Sequence, residues 1–144
     1  MRTTTPGRFT AAALFAAATL AALTAATTPA PAMTEAPAAP AAARKACANV
    51  GGEKSGARAV TATFHNRSVT VKATVSDHQT GSTRLHVKAI QGSNVTDYQT
   101  SVWVNDDDRK VSMNLAADSP GGASAIEYWT ESTYGTSGHR ICTR

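Results

Sequence analysis

No C-x-x-C pair, no H-x-x-x-H or H-E-x-x-H spacing and no G-x-S-x-G elbow occurs in the 144 residues, and past residue 46 no apolar stripe recurs at three-and-four spacing. Each absence excludes something. Without C-x-x-C there is no pattern that lowers a thiol pKa for redox work. The four histidines, His65, His78, His86 and His139, are too scattered for the helical zinc motifs. No serine sits in the strained turn of an esterase nucleophile, and no repeat of 20 to 50 residues marks a solenoid or propeller. Basic residues are spread along the chain rather than gathered in a stripe, which argues against nucleic acid as a partner.

What is present at the start is an export signal. Arg2 and Arg8 precede an unbroken run of small and apolar residues from Phe9 to Leu23, and Ala30-Pro31-Ala32 supplies small residues at a cleavage site. The run is shorter and richer in Ala and Thr than the roughly 20 strongly apolar residues of a membrane span. The expected organisation is therefore a signal peptide over 1–32, an Ala/Pro-rich spacer over 33–46 and one domain over 47–144, with cleavage near Ala26 as the competing site. No membrane anchor is expected after cleavage, because Cys47 follows Arg44-Lys45-Ala46 rather than a lipidation context. From Cys47 onward ten Lys and Arg face nine acids, so the formal +4 of the whole chain falls to +1.

Cys47 and Cys142 open and close the domain. In an exported chain an even pair so placed reads as one disulfide. Two free thiols or an intermolecular link are the alternatives.

The rest of the chain alternates with period two. Val60, Ala62 and Phe64 oppose Thr61, Thr63 and His65, and Val69, Val71, Ala73 and Val75 repeat the pattern after a turn at Asn66-Arg67. Leu85, Val87 and Ala89 make a third strand that stops near Gln91 to Asn94. Tyr98, Thr100, Val102 and Val104 make a fourth, Val111, Met113 and Leu115 a fifth, and Ile126 and Tyr128 anchor a sixth. Ser119-Pro120-Gly121-Gly122 places Pro and Gly as a type II turn requires. The expected fold is all-β, an antiparallel β-sandwich of about six strands, with a partly open barrel as the other architecture.

The Ala-rich signal, the Ala-Pro spacer, the strands "ARAVTATF" and "VTVKATVSD", the polar "W-x-N-D" segment and the closing "ICTR" are similar to small secreted β-sandwich proteins of actinomycetes. The resemblance covers most of residues 47–144. It implies a sandwich fold and an extracellular address, and it implies no activity and no catalytic residue.

The densest polar cluster is Asn105-Asp106-Asp107-Asp108, between the fourth and fifth strands. Its oxygens are contiguous rather than alternating, no Gly follows, and Arg109 and Lys110 stand where a cation would lie, so it reads as a hairpin turn before it reads as a calcium loop. Asp106, Asp107 and Asp108 are the only metal candidates, and no cofactor is expected. "GTSGH" brings Ser137 near His139 but lacks the final Gly of the elbow. Glu127 and Glu131 do not read as a glycosidase pair, and His86 reads as a solvated imidazole on a polar strand face. Alternation sends Trp103 and Trp129 away from Val102, Val104 and Tyr128, onto outer faces. With Tyr134 they are the candidate ligand-binding residues, since flat amphipathic rings suit sugars and partner proteins. Alternatively, the indoles cap an open end of the sandwich. The expected function is that of a secreted, non-enzymatic sandwich that binds an extracellular glycan or envelope component. The other reading is an inhibitor or effector of another extracellular protein.

Overall fold

The structure is a computed structural model in which residues 41–144 are described. The expected signal peptide over 1–32 and the expected spacer up to residue 40 lie outside the described residues. Among the described residues ten strands follow one another: β1 (Ala43–Ala46), β2 (Val50–Gly51), β3 (Ser55–Phe64), β4 (Ser68–Asp77), β5 (Thr83–Gln91), β6 (Asn94–Thr100), β7 (Asp107–Ala116), β8 (Ala125–Ser132), β9 (Gly135–Thr136) and β10 (Arg140–Thr143). The six expected strands are β3 to β8, and the four additional ones are short edge pieces. One of these, β1, corrects the spacer boundary. Ala43 to Ala46 pair antiparallel with Phe64 to Thr61, so the folded domain begins before Cys47.

All pairing is antiparallel, in two sheets. Sheet A runs β1-β3-β4-β7 with β2 also on β3, and sheet B runs β10-β8-β5-β6 with β9 also on β8. Two hairpins, β3–β4 and β5–β6, lie one in each sheet. The chain then crosses so that β7 adds to β4 and β8 adds to β5, and the β4–β5 and β7–β8 crossings interlock the layers. Val60, Phe64, Val71 and Val75 from sheet A share one core with Leu85, Val87, Ile126 and Tyr128 from sheet B. These are the alternate positions the period-two pattern selects, because successive side chains of a strand point to opposite faces. The fold is the expected all-β sandwich.

The turns obey their sequences. His65 N–H donates to Ser68 O across Asn66-Arg67, and the two-residue Gly92-Ser93 loop joins Gln91 to Asn94. At Ser119-Pro120-Gly121-Gly122, the Gly122 N–H closes on Ser119 O at 3.0 Å, with Gly121 at φ 92°. This is the positive φ that a type II turn needs at its third residue.

Each side edge of the sandwich is closed by a different device. On one side, Cys47, just past β1, is joined to Cys142 in β10 with their Cα atoms 5.6 Å apart, so the disulfide staples edge strands of opposite sheets. A disulfide between edge strands belongs to an oxidising compartment. On the other side, β6 lies beside β7 and turns polar side chains inward. Asp97 Oδ2 accepts the Ala116 N–H (2.8 Å), while Gln99 Nε2 donates to Asn114 O (2.7 Å). These bonds satisfy backbone groups of β7 that no further strand pairs.

That polar edge overturns the expected facing of the fourth strand. With Asp97 and Gln99 inward, Tyr98 faces outward, opposite Lys88. A bulge follows: β5 takes three steps from Thr83 to His86 while the opposing chain takes four from Thr100 to Val104, so one extra residue is inserted. Val104 returns to the core, whereas Val102 and Trp103 remain exposed. Of Tyr98, Thr100, Val102 and Val104, only the last packs inward.

The Asn105–Asp108 segment is also not a hairpin turn, because β6 and β7 belong to different sheets. It is a crossing between layers. Asp106 has φ 45°, the left-handed region that Asp tolerates better than most residues, and Asp107 and Asp108 already belong to β7.

Candidate functional site: the outer face of sheet B

The solvent-side face of sheet B carries an ordered lattice of aromatic and charged groups. Register builds it. On β5 the outward residues are Arg84, His86 and Lys88, and on β8 they are Glu131, Trp129 and Glu127; the pairing sets Arg84 opposite Glu131, His86 opposite Trp129 and Lys88 opposite Glu127. Two cation–acid pairs thus flank an imidazole–indole pair. Directly opposed side chains on one face of an antiparallel pair lie close enough to interact.

The upper half centres on His86. Its Nε2 lies 2.7 Å from Glu131 Oε2, and its Nδ1 is hydrogen-bonded to the Tyr98 hydroxyl. Arg84 donates to the same carboxylate oxygen from Nε (2.9 Å) and from an Nη (2.7 Å). The guanidinium also lies over the Trp103 ring, 4.4 Å from its centroid. With Glu131 ionised, Nε2 carries the proton toward it, and in the neutral ring Nδ1 accepts the phenol proton. His86 is only 5% exposed. The expectation of a solvated imidazole is therefore corrected: the residue faces outward, but its neighbours cover it.

The lower half centres on Glu127. His139 Nδ1 lies 2.7 Å from Glu127 Oε1, and Lys88 Nζ lies 3.4 Å from Oε2. Glu127 and Glu131 do share a face, as strand residues four apart must. Each is held by a different histidine, on either side of Trp129.

Trp129 joins the halves. On one side the His86 ring is 5.0 Å away at 9°, with Tyr98 at 6.0 Å and 12°; on the other side His139 lies 4.4 Å away at 3°. Tyr98 and His86 are nearly parallel, with centroids 5.9 Å apart, and are linked through phenol oxygen and ring nitrogen. They therefore lie side by side as one layer. The stack is Tyr98 with His86, then Trp129, then His139. Both faces of the half-buried indole are occupied, which leaves its edge to solvent.

The predicted ligand-binding residues thus separate. Trp103 is 44% exposed and has one face on Arg84. Trp129 is on the outer face as expected but stacked on both sides. Tyr134 stands in the turn between β8 and β9, 68% exposed and outside the lattice. Sequence reasoning missed Tyr98, His86, Arg84 and His139 as members. The signal that could have found Arg84 and His86 was the shared outward parity of Arg84, His86 and Lys88 with Glu127, Trp129 and Glu131; no local signal marked Tyr98 or His139.

The carboxylates are electrostatically committed. The hydrogen bond from His139, followed by the charge of Lys88, holds Glu127 below the ordinary 4.5, and hydrogen bonds from Arg84 and then His86 do the same for Glu131. A depressed folded-state pKa contributes stability that is present above the unfolded value and is lost as pH falls through the folded one. Acidification below about pH 4.5 should therefore loosen the lattice before the core opens. Tryptophan fluorescence and thermal unfolding, followed from neutral pH to about pH 3, should show this step in the native chain and a smaller one in Glu131→Gln. Equal pH profiles for the two chains would mean the ion pairs contribute nothing.

The other sequence candidates do not assemble. Ser137 Oγ accepts the Thr130 N–H (2.8 Å), and His139 is turned to Glu127 rather than to Ser137. Asp108 binds His78 Nε2 at 3.2 Å, and a hydrogen bond from Ser76, ahead of that histidine, lowers its pKa. Asp107 caps the Asp108 N–H. Among the described residues no group of three His, Cys, Asp or Glu side chains is placed to hold a metal ion. No family model, curated protein or solved structure matched the chain in comparison.

Proposed function

We propose that the chain is an exported, non-enzymatic binding module that contacts an extracellular glycan through the outer face of sheet B. The observation that carries this reading is the lattice itself. Six ionic and aromatic side chains are locked in register on a face that the core does not need. Binding surfaces gain from such order because little side-chain freedom remains to be lost on contact. Arg84 and Lys88 are neutralised in place by Glu131 and Glu127. The face thus carries hydrogen-bonding groups at fixed positions with little net charge, which suits a neutral polymer better than a polyanion. The exposed parts of the Trp103 and Tyr98 rings supply flat apolar surface for sugar C–H groups. Export rests on the N-terminal signal pattern and agrees with the disulfide.

Titration with soluble oligosaccharides should quench or shift tryptophan fluorescence, and insoluble polysaccharide should retain the protein. Trp103→Ala should weaken this binding about tenfold or more, as loss of one well-placed ring does, while changing the unfolding free energy by less than about 1 kcal/mol. Undiminished binding in that variant would remove the sheet B face from the glycan reading.

A second reading follows from exposed aliphatic groups at the two sides of the same sheet, Val102 beside β6 and Ile141 in β10. Branched aliphatic side chains suit a protein partner more than a sugar, and an inhibitor or effector acting on another extracellular protein would use them. Capture of one stoichiometric protein from spent medium, abolished in Ile141→Lys, would favour this reading over the glycan.

A further inference from the structure

At one end of the sandwich, the β2–β3 and β8–β9 turns enclose an open cleft of about 540 Å³. Its walls are largely neutral hydrogen-bonding groups, including Ser55, Gln79, Thr130 and Ser137, together with the exposed ring of Tyr134. Its two charged residues, Glu53 and Lys54, are adjacent and opposite in sign. Glycine lets the β2 backbone pack closely against this wall. At Gly51, with φ 88°, an added Cβ would lie 2.6 Å from Gly56 Cα and 2.9 Å from Thr130 Oγ1, so a side chain there would displace the wall.

Behind Ser55 lies a buried carboxylate that the sheet B lattice does not use. Asp77 is 1% exposed, and its Oδ2 has no hydrogen-bond partner among the described residues. Its Oδ1 accepts the Thr83 hydroxyl at 3.3 Å, and Thr83 Oγ1 lies 2.8 Å from Ser55 Oγ. A threonine hydroxyl has one proton. Since that proton goes to Asp77, Ser55 must donate to Thr83. The Ser55 hydrogen therefore points inward, and its oxygen is left as an acceptor at the cleft wall. Hydrogen bonds in a chain polarise one another, so donation from Ser55 into the Thr83–Asp77 chain strengthens its own oxygen as an acceptor.

We propose that this cleft is a second binding site, independent of the sheet B face, that takes one saccharide residue. A sugar hydroxyl donates to Ser55 Oγ, and the C–H face of the ring lies on Tyr134. A polyhydroxylated ring answers both features at once. It brings several donors and acceptors to a wall with no net fixed charge and an apolar face to a flat exposed aromatic.

The test is an NMR titration of the isotope-labelled full chain with glucose, N-acetylglucosamine and the β-linked tetramer of each. Amide shifts should concentrate at Ser55, Thr130, Tyr134 and Ser137. Ser55→Ala and Tyr134→Ala should each raise Kd about tenfold, the loss expected for one strong hydrogen bond or one stacked ring. Trp103→Ala should leave the cleft shifts unchanged, which separates this site from the sheet B reading. Two results would overturn the proposal: cleft amides that stay still at millimolar concentrations of all four sugars, or an unchanged Kd in Ser55→Ala.

Discussion

Replacing Cys142 by Ser should lower the unfolding free energy by about 2–5 kcal/mol and leave the strand content intact at low temperature. The bond closes a loop with a sequence separation of 95. A loop of about that length corresponds to ~4.7 kcal/mol in the chain-entropy model. Position adds to length. Cys47 follows β1 and Cys142 lies in β10, so the bond ties edge strands whose partners are in different sheets. Its loss should be felt first there, as faster hydrogen exchange in β1 and β10 while β4 and β5, each flanked on both sides, stay protected. In a domain of this size the change corresponds to a fall of at least about 8 °C in melting temperature. A fall under about 3 °C would mean that the shared core alone holds the sheets in register.

Trp129→Ala should cost about 2–4 kcal/mol, against less than about 1 kcal/mol for Trp103→Ala. Both indoles lie on the outer side of sheet B, so exposure alone would rank them together. Their surroundings differ. Trp129 is packed on both faces by imidazoles, with Lys88 Nζ 4.9 Å from its ring centroid. Its truncation would expose His86, Tyr98 and His139 to a gap. Aromatic pairs are worth about 0.5–1.5 kcal/mol each beyond buried area, and Trp129 has at least two such partners. Trp103 rests one face on a guanidinium that also has Glu131 to hold it. Urea unfolding of the two variants, compared at constant m-value, measures the difference. Equal costs would make Trp129 as dispensable to the fold as Trp103 and deny the lattice its central member.

Much of this was legible from alternation. The inward residues of β3, β4, β5 and β8 follow from period two, because those strands pair on both sides and bury one face against the other sheet. The outward set on β5 and β8 followed from the same parity, including the placement of Trp129. Which outward residues meet across strands did not. A strand carries no mark of its partner or its register, and His86 pairs with Trp129 only because β8 joins β5 after two crossings between layers.

By itself the sequence determined an all-β antiparallel fold, the hairpin at Asn66-Arg67 and the Pro-Gly turn at Ser119 to Gly122, and it favoured a sandwich over a barrel and the pairing of Cys47 with Cys142 over free thiols. Those features depend on local conformational preference, strand parity or the arithmetic of two cysteines, and such constraints act without knowledge of distant neighbours. Tertiary structure decided the rest. It placed Asp106 in a crossing between layers and Asp107 and Asp108 in β7, rather than all three in a hairpin, because β7 found its partner in β4. It reversed Tyr98, because the backbone at the β7 edge required Asp97 and Gln99 as inward partners. It buried His86, because Tyr98, Trp129 and Glu131 converge on it from neighbouring strands. The common physical reason is that hydrogen-bond satisfaction at an edge, and the company of an outward side chain, depend on which strands become neighbours, a choice made by packing of the whole chain.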